Sequence, residues 1–126
     1  MQPCRTQTLA SSGIEVIVTT LSLPNDKYLQ IALLYRSPTT PMQQLISMLT
    51  RMLNYVSVSN APTVILGDFN DNVLDKPDSP VVSLMSTHGY TQLVNSPTTA
   101  KGTLIDHVYY NKPSGNVIVE VHDTYS

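Results

Sequence analysis

The chain has 126 residues, 41% of them hydrophobic, and a formal charge of -2. That length holds one small domain with a core, and the composition excludes both a disordered chain and a membrane-embedded one. The charge gives no basic footprint of the kind nucleic-acid binders often show, and no apolar run approaches the roughly 20 residues of a membrane span.

Met1 to Ser12 is polar and without period, so residues 1–13 are expected to be poorly ordered. Ile14 to Leu23 is rich in β-branched residues and reads as a strand. Pro24-Asn25-Asp26-Lys27 has turn chemistry, and Tyr28 to Tyr35 is a second strand, so the two are expected to form an antiparallel hairpin. Met42, Leu45, Ile46, Leu49, Met52, Leu53 and Val56 recur at three- and four-residue spacing, the pattern of an amphipathic helix. Thr40 is its expected N-cap and Pro41 its first helical residue. Val64-Ile65-Leu66 has no polar alternation and reads as a strand buried on both faces. Ser79 and Pro80 open a short helix through Met85, and Gly89 suits its left-handed stop. Tyr90 to Val94, Leu104 to Tyr110 and Asn116 to Val121 read as strands, with a turn at Lys112 to Gly115. Strands outnumber helices and only some are separated by them, which predicts a layered α/β domain with a mixed sheet. No repeat, low-complexity segment or long linker divides it.

Cys4 is the single cysteine, so an internal disulfide and a zinc site built on cysteine pairs are excluded. A reduced, intracellular setting follows most simply, and residues 1–20 lack the charged segment and apolar core of a signal peptide.

Three stretches put chemistry at strand ends. The first is Thr63-Val-Ile-Leu-Gly67-Asp68-Phe69-Asn70-Asp71-Asn72, where an apolar run stops at a glycine and a carboxylate and carboxamides follow. The carboxyl ends of strands are where open α/β sheets place ligands. Asp68-x-Asn70-x-Asn72 also matches the start of a calcium-binding EF-hand loop. The match fails at Val73 and Ser79, where that loop needs Gly and Glu. In the second stretch, Leu104-Ile105-Asp106-His107-Val108-Tyr109-Tyr110, a carboxylate interrupts an apolar strand. It either faces solvent or is a partnered site residue. The third stretch ends a strand in Tyr35-Arg36-Ser37-Pro38. Arg36 is a candidate fork for a phosphate, against the plainer reading of a core Tyr35 and a solvated Arg36.

A strand ending in Gly67-Asp68-Phe69-Asn70, preceded by Tyr35-Arg36-Ser37-Pro38 and followed by Ile105-Asp106-His107-Val108, resembles the endonuclease/exonuclease/phosphatase superfamily. The likeness is greatest to the apurinic-endonuclease-like domains of LINE-type mobile elements, and Ser96-Pro97-Thr98-Thr99-Ala100-Lys101-Gly102-Thr103 also looks like that group. It covers the chain from about Ile14 onward. It implies a four-layer α/β sandwich, here a partial one, and hydrolysis of phosphate esters with a divalent cation, Mg2+ or Mn2+. It implies that Asp68 orients or deprotonates the attacking water and that Asn70 holds the scissile phosphate. Asp106 would orient a catalytic histidine and Tyr35 would contact the phosphate.

Two parts of the family pattern find no match. Glu15 is not assigned as the metal-binding glutamate, so no metal ligand is identified. The closing Ser-Asp-His element is not reached at Asp123-Thr124-Tyr125-Ser126. His88, His107 and His122 sit in other contexts and are read as structural or surface residues. The expectation is therefore an incomplete domain over 1–126, part of a phosphodiesterase, most simply a DNA endonuclease and inactive alone. It would act on nucleic acid, away from membranes, in an intracellular setting, the nucleus included. Two alternatives stay open: a degenerate interaction module, and a lipid or inositol phosphatase or RNA deadenylase on the same scaffold.

Overall fold

The structure is a computed structural model that describes residues 2–112. It opens with three strands, β1 (Gln2–Ser11), β2 (Ile14–Leu23) and β3 (Lys27–Arg36), paired antiparallel in sequence order. The β2–β3 hairpin is the expected one. Asn25 and Asp26 turn it with φ of 66° and 57°, left-handed conformations that Asn and Asp tolerate better than other residues with side chains. The first strand lies in a stretch whose sequence has no period. β1 pairs with β2 through its backbone, and within residues 6–11 only Leu9 is buried, opposite Val16. A strand with one core contact leaves almost no periodic signal.

Helix α1 (Met42–Ser57) carries the chain from β3 to β4 (Thr63–Asp68), so these two strands pair parallel. Its buried stripe is Leu45, Met48, Leu49, Met52, Leu53 and Val56. The cap differs from expectation by one residue. Pro41 is the N-cap, and the Thr40 hydroxyl instead donates to the Gly13 carbonyl at 3.2 Å. Helix α2 (Pro80–Thr87) begins as read, with Ser79 Oγ accepting from the Val82 N–H and Gly89 at φ 86° beyond its end.

Strands β5 (Thr91–Gln92) and β6 (Asp106–Tyr110) are shorter than expected. Side chains take the backbone donors that a longer ladder would use. Gln92 Oε1 accepts from Val94, Asn72 Oδ1 from Leu104, and Thr98 Oγ1 from Ile105 and Asp106. The strand expected at Asn116–Val121, the turn beyond Lys112 and His122 lie outside the described residues.

The six strands make one mixed sheet in the order β1-β2-β3-β4-β6-β5, in which β3–β4 is the parallel pair. Both helices pack on one face, where Ile14, Val16, Val18, Ala32, Leu34, Ile65 and Tyr109 join the α1 stripe, Val81 and Met85 in one core. The other face keeps Ile17, Leu33 and Tyr35 at 41%, 47% and 48% exposure. β4 is thus buried on one face, through Thr63 and Ile65, and only half-buried at Val64 and Leu66. The described layers number two, sheet and helices, as befits part of a larger sandwich. Among the described residues no helix is long and apolar enough to cross a membrane.

Candidate functional site

The site is built where β4 runs out. Gly67 has φ 150°, and a Cβ there would lie 1.9 Å from the Leu34 carbonyl of β3. Only glycine lets the two backbones meet this closely. The next residue, Asp68, is in register with Tyr35 of β3 on one side and Asp106 of β6 on the other. Tyr35 is in turn opposite Glu15 of β2. Direct partners share a face, so Glu15, Tyr35, Asp68 and Asp106 form one row at the rim of the open face.

Asp68 is half-buried and accepts the Asn70 N–H on Oδ1 at 3.0 Å. Burial raises its pKa above the ordinary carboxylate value. The Asn70 N–H opposes that rise, the nearby Asp106 carboxylate adds to it, and His107 opposes it. A carboxylate less content with its charge is a better proton acceptor. Asp106 is held at its backbone, where its N–H donates to Thr98 Oγ1 at 3.2 Å. Tyr35 is half exposed and faces the rim.

Arg36 does not share that rim, which corrects its reading as a phosphate fork. Alternation turns it to the helical face, where it is buried. Nε and Nη2 donate to the Thr40 carbonyl at 3.1 and 2.7 Å, and Nη1 to the carbonyls of Phe69 and Asn70 at 3.1 and 3.3 Å. Asn70 answers by donating from Nδ2 to the Arg36 carbonyl. Its backbone is left-handed, at φ 49°. Arg36 therefore staples the loop after β4 to the end of β3 and the start of α1. Asn72, the third oxygen of the EF-hand-like run, is also structural: it accepts from Leu104 and donates to Asp75 Oδ2 at 2.8 Å.

Sequence reasoning passed over the other side of this loop. His107 is buried, as a structural histidine should be, but its contacts are specific. Nε2 lies 2.8 Å from the Asp71 carbonyl and Nδ1 2.9 Å from the Tyr109 hydroxyl. Its ring stacks on Phe69 at 4.6 Å and 6°. Burial lowers its pKa, against the opposing pull of the Asp71 backbone and the Asp71, Asp106 and Asp68 carboxylates. Asp71 is itself buried, with Oδ2 lacking a hydrogen-bond partner. Strand parity was the available signal: with Asp106 on the open face, His107 and Tyr109 must face inward. His88 is exposed at the end of α2, with Nδ1 3.1 Å from the Leu84 carbonyl.

The donor set does not make a metal centre. Among the described residues no three His, Cys, Asp or Glu side chains gather closely enough to hold an ion. Asp68 and Asp106 supply two carboxylates on neighbouring strands, and a hard divalent cation needs further oxygen ligands.

Solved structures share this fold. The human Nocturnin catalytic domain with bound sulfate superimposes with a TM-score of 0.67 at 17% identity, covering 88% of this chain and 48% of that one. An endonuclease/exonuclease/phosphatase family protein from Leptotrichia buccalis gives 0.57 at 12% identity, covering 88% and 51%. The fold is that of the endonuclease/exonuclease/phosphatase superfamily. Within it, the endonuclease domain of TRAS1, a telomere-specific non-LTR retrotransposon, gives 0.57 at 13% identity, covering 86% and 55%. The chain thus spans about half the length of the superfamily structures it matches. No protein-family model matches the sequence, and no curated protein does.

Proposed function

We propose that the chain carries part of the site of a phosphoesterase that hydrolyses phosphodiester bonds in DNA, and that the 126-residue chain does not turn over alone. The observation that carries this reading is the shared rim: Tyr35, Asp68 and Asp106, far apart in sequence, stand in register on three adjacent strands. In this reading Asp68 draws a proton from, or orients, the attacking water through the oxygen that Asn70 does not engage. The Tyr35 hydroxyl donates to a phosphoryl oxygen, and Asn70 fixes the loop while presenting its amide to the phosphate. Asp106 keeps the rim acidic beside Asp68 and holds a histidine that the described residues do not supply. The superfamily's divalent cation, Mg2+ or Mn2+, would relieve charge on the phosphate. Its ligands are incomplete here, which is why turnover is not expected. DNA is favoured over lipid, inositol phosphate or RNA by the likeness of fold to the retrotransposon endonuclease domain, with the nucleus as the matching compartment.

The test has two arms. In supercoiled plasmid with magnesium, the chain alone should leave DNA intact; nicking that Asp68→Ala abolishes would refute incompleteness while supporting the chemistry. In the second arm, thymidine 5′-monophosphate is titrated against the labelled chain. Amide shifts should centre on Tyr35, Asp68 and Asn70, and Asn70→Gly, which removes the amide and tolerates the left-handed backbone, should remove most of them while the chain still unfolds cooperatively. Shifts elsewhere, or none, would sink the phosphoesterase assignment.

A further inference from the structure

The loop after β4 is gripped at three successive carbonyls. Phe69 and Asn70 accept from Arg36 Nη1, and Asp71 accepts from His107 Nε2. Its amides are held too, with Phe69 N–H donating to the Ile105 carbonyl at 2.9 Å and Asn70 N–H to Asp68. Arginine is always charged and its fork has donors to spare. The histidine has a choice of tautomer and of charge, and the geometry settles the tautomer. A carbonyl oxygen can only accept, so Nε2 must carry the hydrogen. Nδ1 is then the acceptor for the Tyr109 hydroxyl in the neutral ring. Phe69 fixes the plane of the imidazole from the loop side, and Tyr109 meets the Phe69 ring edge-on at 5.5 Å.

We propose that His107, as the neutral Nε2–H tautomer, is a positioning residue that sets the loop bearing Asp68 and Asn70 for phosphate. This rests on the phosphoesterase reading for its purpose, though not for its geometry. No other side chain meets all three demands. Phenylalanine would stack but has no donor. Tyrosine, the aromatic with a polar end, would carry its oxygen further out than Nε2. Lysine would bring an unpaired charge into a buried position. The carboxylates that face the ring are Asp71 on the loop, Asp106 on its own strand and Asp68 on β4, and the Tyr109 hydroxyl is the remaining titratable neighbour. All three carboxylates favour the imidazolium; burial opposes them, and Tyr109 gives the neutral ring a donor to accept from.

The experiment uses the whole chain, nitrogen-15 labelled. Long-range nitrogen–proton spectra at about pH 7.5 should show His107 as the Nε2–H tautomer, with its titration displaced below the ordinary histidine value near 6.5. The Nδ1–H tautomer, or ordinary titration, would overturn the proposal. His107→Phe keeps the stack and loses the donor. Amide exchange at Phe69 and Asn70 should then rise about tenfold, the worth of one net hydrogen bond, with protection in α1 and in the body of β4 unchanged. His107→Gln, whose amide nitrogen reaches about where Nε2 lies, should restore part of that protection. A uniform rise across β4, β6 and α1, or equal loss in the Phe and Gln variants, would mean a merely structural core residue and would refute positioning. Should His107→Phe fail to fold, Tyr109→Phe decides the matter: the Asp71 carbonyl alone should still hold the Nε2–H tautomer, and a switch to the Nδ1–H tautomer counts against the proposal. Thymidine 5′-monophosphate titration of the same variants separates the two claims. If the parent chain binds no phosphate, the functional reading fails while the tautomer and exchange results still judge the loop. If it binds, His107→Phe should weaken binding about tenfold.

Discussion

Leu33 and Leu34 are neighbours in β3 with the same side chain, yet Leu34 is 3% exposed and Leu33 47%. Alternation sends Leu34 under α1 and Leu33 to the face that no helix covers. Ile17 and Val18 of β2 divide in the same way, at 41% and 3%. Both faces carry apolar residues, and only one is covered by the helices. The difference teaches that apolar side chains of one strand are fully buried only on the side where the helices lie. It also explains where the polar groups lie. Glu15, Tyr35, Asp68 and Asp106 are gathered at one rim of the uncovered face, and Arg36 and His107 reach the same loop from beneath.

The leucine pair offers the sharpest way to break this comparison. Leu34→Ala should cost about 2–5 kcal/mol in urea unfolding, the usual range for a cavity in a packed core. A loss below about 1 kcal/mol would mean that the helical layer is not packed as described.

The next effect is a dependence on pH that belongs to the covered side. Burial holds His107 below its unfolded pKa, so between the two values the unfolded chain binds more protons than the folded one. Stability should therefore be full above about pH 6.5 and fall as the pH drops towards the lowered value, by at most about 1.4 kcal/mol per pH unit. Urea midpoints at pH 7.5 and 5.5, compared with those of His107→Gln, would reveal it; the same slope in both proteins would assign the effect to another group. Asp68 runs in the opposite sense. Its raised pKa favours the protonated folded form, so stability falls as pH rises from the unfolded carboxylate value to the folded one.

The smallest effect is expected on the open face. Leu33→Ala should change stability by no more than about 0.5 kcal/mol, as surface substitutions generally do. A loss matching that of Leu34→Ala would show that something covers this face in solution.

Much of this was legible in the residues, for physical reasons that differ from place to place. The α1 stripe and the β2–β3 hairpin were readable because period and turn chemistry agree with the final packing. The strand end at Gly67-Asp68 was readable because an apolar run stopped at a residue with no Cβ. β1 was not, since backbone pairing at an edge needs no apolar pattern. The direction of Arg36 was misread because its charge drew more attention than its parity with Leu34. The shortening of β6 was hidden because it depends on Asn72 and Thr98, side chains brought in from distant loops. His107 was read as a structural or surface residue, and its hold on Asp71 spans 36 residues of sequence, beyond the reach of any local pattern.

Those separations bear on the order of assembly. The three N-terminal strands are a meander whose pairings close through short turns, so their loop-closure cost is small. The contacts that make the candidate site are of another kind: Arg36 to Phe69 spans 33 residues, and His107 to Asp71 spans 36. Contacts of such range form slowly and late when folding follows topology. A chain stalled part-way would keep the hairpin and lack the rim, with Asp68, Tyr35 and Asp106 not yet neighbours. Phosphate recognition at that rim would then report the last step of folding, and strand content measured by circular dichroism would report an earlier one.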